Sequence, residues 1–253
     1  MELKTLLITQ ARSASTRLPG KIFKMIQGKT LLQIHLNRLK QCKCVTDIVV
    51  ATTINTEDEI IYSNALKWGF NSFRGSENDV LDRFYQAARP FAPDWVVRLT
   101  SDCPLIDPNL VDQVILFVQK HDVDYGANII IEHFPDGQDI EVFKFAALEK
   151  AWKEAVKQSE REHVTTYIRN NSSALGGKMF TSINYPCEKD YSKIRMTVDE
   201  MQDFELIEKL IQKLGTDKTW KEYTGFMVEK GLISINQNII RNEGLLKSLK
   251  NDQ

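Results

Sequence analysis

Two spacings of apolar residues alternate along the first half of the chain. Short, nearly continuous apolar runs at 4–9 (KTLLIT), 47–52 (DIVVAT) and 95–100 (WVVRLT) predict strands buried on both sides. Between them, apolar positions three and four apart predict helices over 30–42 (TLLQIHLNRLKQC), 57–69 (EDEIIYSNALKWG), 78–90 (NDVLDRFYQAARP) and 107–121 (DPNLVDQVILFVQKH). Gly69 and Pro90 mark helix ends, and Asp107 followed by Pro108 marks a capped helix start. Strands alternating with helices predict a mostly parallel sheet covered on both faces.

After about residue 122 the rhythm changes. The segments 125–130 (YGANII) and 140–145 (IEVFKF) predict strands joined by a turn-rich link, HFPDGQD. Helices are predicted at 147–156 and 161–170, a late strand at 193–199 (KIRMTVD), and a long amphipathic helix at 200–215. No internal repeat or low-complexity linker divides the chain. One α/β domain over 1–228 is therefore expected, with an insertion at about 123–192 and a weaker, partly helical tail at 229–253.

Charge narrows the function. Lys plus Arg number 33 and Asp plus Glu 34, a balance that disfavours a nucleic-acid binder relying on bulk positive charge. No apolar run reaches the length of a membrane helix, and the first ten residues carry no leader-cleavage pattern. The four cysteines are scattered without zinc-pair spacing, so reduced thiols in a cytoplasmic protein are expected. Against this neutral background, the segment 9–21 (TQARSASTRLPGK) gathers Arg12, Arg17 and Lys21 among small hydroxyl residues. A local basic loop in a balanced protein predicts a small anionic ligand.

In open α/β sheets ligands bind beyond the carboxyl ends of the strands. The basic loop follows the first predicted strand. Thr100, Ser101 and Asp102 follow WVVRLT, and Asp199 ends KIRMTVD. Two carboxylates converging beside a group of cations suit a divalent metal with a polyphosphate between them, since Mg²⁺ is held by one or two carboxylates plus phosphate oxygens and water. Structural readings stay open beside this one. Asp102 and Asp199 also suit helix caps, 74–83 (RGSENDVLDR) a turn with an N-capped helix, and His163 an ordinary helical position. The loop matches neither the G-x-x-x-x-G-K-[ST] nor the G-x-G-x-x-G pattern, which disfavours a P-loop phosphohydrolase and a dehydrogenase.

The segments QARSASTRLPGK, RGSENDVLDRF, RLTSDCPLIDP, DGQDIEVF, EREHVT and IRMTVDEMQDF occur in that order. Together they resemble the SpsF-like cytidylyltransferases of spore-coat polysaccharide synthesis, relatives of the enzymes that make CMP-activated KDO and sialic acid. The resemblance covers about residues 3–215. It implies a Rossmann-like fold with a smaller acceptor subdomain, often dimeric, and hence a homodimer. It implies that Arg12, Arg17 and Lys21 grip the triphosphate of CTP, which Ala11 and Ser13 approach through their backbone. Arg74 and Asp79 would lie near base and ribose, with Thr100 and Ser101 also on the nucleotide. Asp102 and Asp199 would hold Mg²⁺, and Gly137, Asp139, Glu141 and His163 would face the acceptor sugar.

The function expected is transfer of CMP from CTP to a 2-keto-3-deoxy sugar acid with release of pyrophosphate, for surface polysaccharide synthesis. Catalysis would rest on Arg12, Arg17, Lys21 and Asp102. Three alternatives stand beside it: nucleotidyl transfer to a sugar phosphate or phospho-alcohol, a metal-dependent glycosyltransferase, and a non-catalytic nucleotide-binding module. Pyrophosphate release separates the first from the second.

Overall fold

The structure, a computed structural model, describes residues 3–252. Its centre is a seven-stranded sheet. Strands β1 (Thr5–Gln10), β4 (Asp47–Thr53), β5 (Asn71–Gly75) and β6 (Trp95–Thr100) run parallel, with a small separate hairpin of β2 (Met25–Ile26) and β3 (Lys29–Thr30) between β1 and β4. The remaining strands are β7 (Tyr125–Ala127), β8 (Glu141–Lys144) and β9 (Ser182–Asn184). The order across the sheet is β5-β4-β1-β6-β8-β7-β9, with β8 antiparallel to both β6 and β7. The chain leaves β1 toward β4 on one side and returns to β6 on the other, so β1 and β6 flank a topological switch point. Gln10 pairs with Thr100, which ends both strands at one level and starts their following loops side by side.

Both faces of the sheet are buried, as the continuous apolar runs require. Leu6, Ile8 and Val96 face α3 (Val80–Ala88), α5 (Phe145–Glu154) and α7 (Thr166–Asn170). Leu7, Val97 and Leu99 face the other way, into a core with α1 (Leu31–Leu39), α4 (Pro108–His121), α8 (Met201–Leu214) and α9 (Trp220–Glu229). The helices α2 (Glu59–Lys67), α6 (Gln158–Glu162) and α10 (Glu243–Asn251) complete the set. Helix starts follow their caps. Thr30 accepts from the Gln33 N–H and Asp107 from that of Asn109, with Pro108 at the first helical position. None of the described helices is long and apolar enough to cross a membrane.

Three segments depart from expectation, the last two for a polar reason. The helix expected over 161–170 is two short helices, α6 and α7, because Val164 takes a left-handed φ of 40°. The strand expected over 125–130 stops at Ala127. There the Asn128 amide takes over the backbone, accepting from the Ile140 N–H and donating to the Gln138 carbonyl. Residues 193–199 form no strand. They make one bridge, Arg195 to Asp136, and the buried Arg195 side chain bonds to Asp136, Asp199 and Asp203 instead of packing as an apolar strand would. Both edge strands, β5 and β9, were unforeseen; neither is buried, and neither shows the alternation that would have marked it.

Residues 133–141 are pressed against 194–199 at that bridge. The Met196 N–H donates to the Asp136 carbonyl at 2.7 Å. Gly137 holds φ at 101°, and a Cβ there would sit 2.7 Å from both the Met196 carbonyl carbon and the Thr197 nitrogen. Gly137→Ala should therefore destabilise the fold by more than about 2 kcal/mol, from the combined backbone strain and main-chain clash. Urea unfolding of the two proteins measures this, and a difference within 0.5 kcal/mol, about that of an ordinary surface change, would refute the close approach.

Candidate functional site

The loop after β1 is folded from within. The Ser13 N–H and Oγ both donate to Asp58 Oδ1, at 2.7 and 2.6 Å, and the Thr53 hydroxyl donates to the other oxygen of the same buried carboxylate. The Gly20 N–H donates back to the Ser13 carbonyl at 3.2 Å, and Gly20 adopts a left-handed φ of 65°. This reversal turns Lys21 inward beneath the loop. Its ammonium donates to Asp102 Oδ2 at 3.0 Å, Asp199 Oδ1 at 2.8 Å and the Val198 carbonyl at 2.8 Å. All three of its hydrogens are thus spent.

Asp199 collects two further cations: Arg17 at 3.0 Å on Oδ1 and Arg195 at 2.7 Å on Oδ2. Burial alone would push the Lys21 pKa down, but the two carboxylates outweigh it and hold the ammonium above its usual range. Burial would likewise raise Asp102. Lys21 reverses that, with hydrogen bonds from Thr100, Lys21 and Cys103, and Asp102 lies well below the usual carboxylate range.

Two adjoining cavities open above this junction and share Arg17, Thr100, Asp102, His163 and Asp199 as lining residues. One, of about 830 Å³, is lined further by Arg12, Ser15, Thr16, Lys21, Arg83 and Ser101. The other, of about 430 Å³, is lined by Arg98, Asp136, Asp139, Glu141, Thr165 and Arg195. Both sizes fall in the range of small-molecule sites. Arg12 is mostly exposed and reaches Glu77 only at 3.7 Å. In the smaller cavity, burial pushes the Asp139 carboxyl up to about 7, against the opposing pull of Arg241, which donates to it at 2.6 Å. Glu141 is buried too, but Arg98 and hydrogen bonds from Thr165 and Tyr125 hold it below its usual range. His163 is lowered by burial.

The structure thus brings together Arg12, Arg17, Lys21, Thr100, Ser101, Asp102 and Asp199, with Asp139, Glu141 and His163 beside them. Five other expected residues have structural occupations. The Ala11 N–H is spent on the Ala51 carbonyl at 3.1 Å, so this residue offers the cavity no donor, and both Ser13 donors are held by Asp58. Arg74 donates to the carbonyls of Thr53, Ile54 and Asn55 and pairs with Glu59, bracing a turn. Asp79 caps α3 through the Asp82 N–H and receives the Arg161 guanidinium. Gly137 serves the close backbone approach already described.

Sequence reasoning missed Asp58, Arg98, Arg195 and the whole contribution of the tail. Glu243 of α10 lies 3.5 Å from Arg17, and Arg241 bonds to Asp139. Arg195 stood in plain view inside KIRMTVD, where a cation in an otherwise apolar run was the available signal.

Among the described residues, no three His, Cys, Asp or Glu side chains cluster as a metal site. Asp102 and Asp199 do converge, each within 3.0 Å of the same ammonium. Two carboxylates meet the requirement of a Mg²⁺ ion that takes its other ligands from phosphate and water.

A family described as Cytidylyltransferase matches residues 6–228 of this chain. The spore coat polysaccharide biosynthesis protein SpsF of Bacillus subtilis is 36% identical over 83% of this chain and 87% of its own length. A 3-deoxy-manno-octulosonate cytidylyltransferase of Solibacter usitatus is 33% identical over half of each chain. The solved structure of a cytidylyltransferase from Leptospira borgpetersenii superposes with a TM-score of 0.85 at 33% identity, covering 95% of this chain and all of that one.

Removing the Lys21 ammonium leaves two partly buried carboxylates facing each other. Lys21→Met should destabilise the protein at pH 7 by about 3 kcal/mol. Asp102 holds its proton less tightly when folded than when unfolded. The stability it contributes is therefore full above the usual carboxylate range and is lost as the pH falls below it. The gap between variant and wild type should accordingly shrink from pH 7 to pH 4, as Asp102, the carboxylate left without a cation in the variant, protonates. Denaturation at both pH values checks this, and a gap that widens at pH 4 would contradict it.

Proposed function

This chain belongs to the cytidylyltransferase family, and from that premise we propose that it transfers CMP from CTP to a 2-keto-3-deoxy sugar acid for surface polysaccharide synthesis, releasing pyrophosphate. It is a nucleotidyltransferase. The observation that carries the finer reading is the junction where Lys21 is shared by Asp102 and Asp199 on the border of two cavities. A cation-lined cavity on one side suits a triphosphate. On the other, a cavity lined by Arg98, Arg169 and Arg195 as well as by carboxylates, Thr165 and His163 suits an acceptor rich in hydroxyls that carries an acid group. The named activities of the relatives from Solibacter usitatus and Bacillus subtilis support the acceptor class and the pathway.

In this reading an acceptor hydroxyl, the anomeric one, attacks the α-phosphorus in line. A bond forms between the acceptor oxygen and phosphorus, and the bond to the bridging oxygen of the β-phosphate breaks. No covalent enzyme intermediate is required, because positioning and charge neutralisation supply most of the rate. Arg12 and Arg17 hold the phosphates, and Arg17 with Lys21 steadies the charge that grows on the departing pyrophosphate. His163 lines both cavities and is kept neutral by burial, so it can accept the proton that the attacking hydroxyl gives up. Asp102 and Asp199 would hold Mg²⁺, whose chemistry there is to polarise the α-phosphate. Lys21 occupies the point between these carboxylates and would have to give way to it.

Asp102→Asn keeps the shape of the junction and removes one charge. Pyrophosphate release from CTP with a 2-keto-3-deoxy sugar acid should fall by about 100-fold or more. The melting temperature should move only a few degrees, since Asp199 still holds Lys21. Near-normal turnover at saturating Mg²⁺ would remove Asp102 from the chemistry.

A further inference from the structure

Residues 241–250 lie beyond the 6–228 span matched by the family, yet they run across both cavities. α10 packs on α6, and polar side chains fasten the segment at several points. Arg241 donates to Asp139 at 2.6 Å and Asn242 to Glu132 at 3.0 Å. The Ser248 hydroxyl lies 3.1 Å from His163 Nε2 and donates to Glu162 at 2.7 Å. Glu243 reaches Arg17 at 3.5 Å, with Lys247 paired behind it at 2.7 Å. Three of the groups so occupied, Arg17, Asp139 and His163, line the cavities themselves.

Arg17 is the informative case. Asp199, at 3.0 Å, is its other partner, a carboxylate shared with Lys21 and Arg195. The second carboxylate, from Glu243, is the more loosely held: Glu243 begins its helix, is one-third exposed, and lies 3.5 Å from Arg17 against 3.0 Å for Asp199. A carboxylate on a guanidinium at the entrance of a cation-lined cavity occupies the position a phosphate oxygen would take, because both anions use the same planar N–H fork.

We propose that residues 241–250 form a strap exchanged by nucleotide binding. Glu243 stands on Arg17 in place of a phosphate oxygen and withdraws when the triphosphate of CTP arrives. The proposal rests on the reading of the Arg17 cavity as the triphosphate site. The strap keeps Arg17 and Asp139 paired while the site is empty, and its release uncovers the acceptor cavity in the same movement.

The test is the dissociation constant of Mg²⁺–CTP by calorimetry for the full-length wild type and Glu243→Gln. Removing the competing charge should tighten CTP binding about two- to fivefold, the scale of an ion pair near the surface. Hydrogen exchange of residues 243–250 supplies a second readout. It should quicken on addition of Mg²⁺–CTP to the wild type, and be quick already in Glu243→Gln without nucleotide. CTP bound equally well or more weakly by Glu243→Gln overturns the strap and leaves the triphosphate site standing. CTP bound by neither protein overturns both.

Discussion

One ammonium group holds the site together. Lys21 comes from the loop after β1, Asp102 from the loop after β6, and Asp199 from the extended segment before α8, so three distant parts of the chain meet on a single nitrogen. Removing charged groups from water is costly, and such a cluster persists only when each charge is matched and each hydrogen bond is made. Here the matching is thorough. Asp199 receives Lys21, Arg17 and Arg195, and Arg195 in turn receives Asp136 and Asp203. Asp203 closes the set by accepting from the backbone N–H groups of Asp199 and Glu200. The consequence is that Asp199 stays anchored to Arg195, and through it to Asp136 and Asp203, whether or not Lys21 gives way.

The fold was legible wherever apolar periodicity decided the structure. β1, β4, β6 and the helices α1 to α4 follow from runs and spacings that leave little choice, and their order dictates the parallel sheet with its switch point. Legibility failed where polar side chains replaced backbone pairing. Arg195 and Asn128 each draw the chain out of a strand its apolar neighbours would support, and the left-handed Val164 breaks a helix with no Gly or Pro to announce it. Asp199 reaches the site although no strand carries it there. An extended segment, not the strand expected over 193–199, sets it beside Asp102.

The site divides along the same line. Arg17, Lys21 and Asp102 could be picked out because charged residues gathered at strand ends have few structural uses. Arg74 and Asp79 looked equally suggestive in sequence, but both brace turns and helix ends, a role indistinguishable from ligand binding until the partners are known. The tail was the least legible. Its few apolar residues give a weak pattern, and its contacts are single polar side chains reaching residues 70 or more positions away, which no local rule can foresee. This also separates two levels of the reading. The junction lies within residues 6–228, which the family matches, whereas the strap lies beyond them.

The account stands on nucleotide chemistry at the Lys21 junction. The direct measurement is pyrophosphate release by the purified protein with Mg²⁺ and each of the four ribonucleoside triphosphates, against a panel of 2-keto-3-deoxy sugar acids and sugar phosphates. The account predicts release with CTP and a sugar acid alone. Release of a free nucleotide from a nucleotide sugar, or pyrophosphate release only with a sugar phosphate, would contradict it.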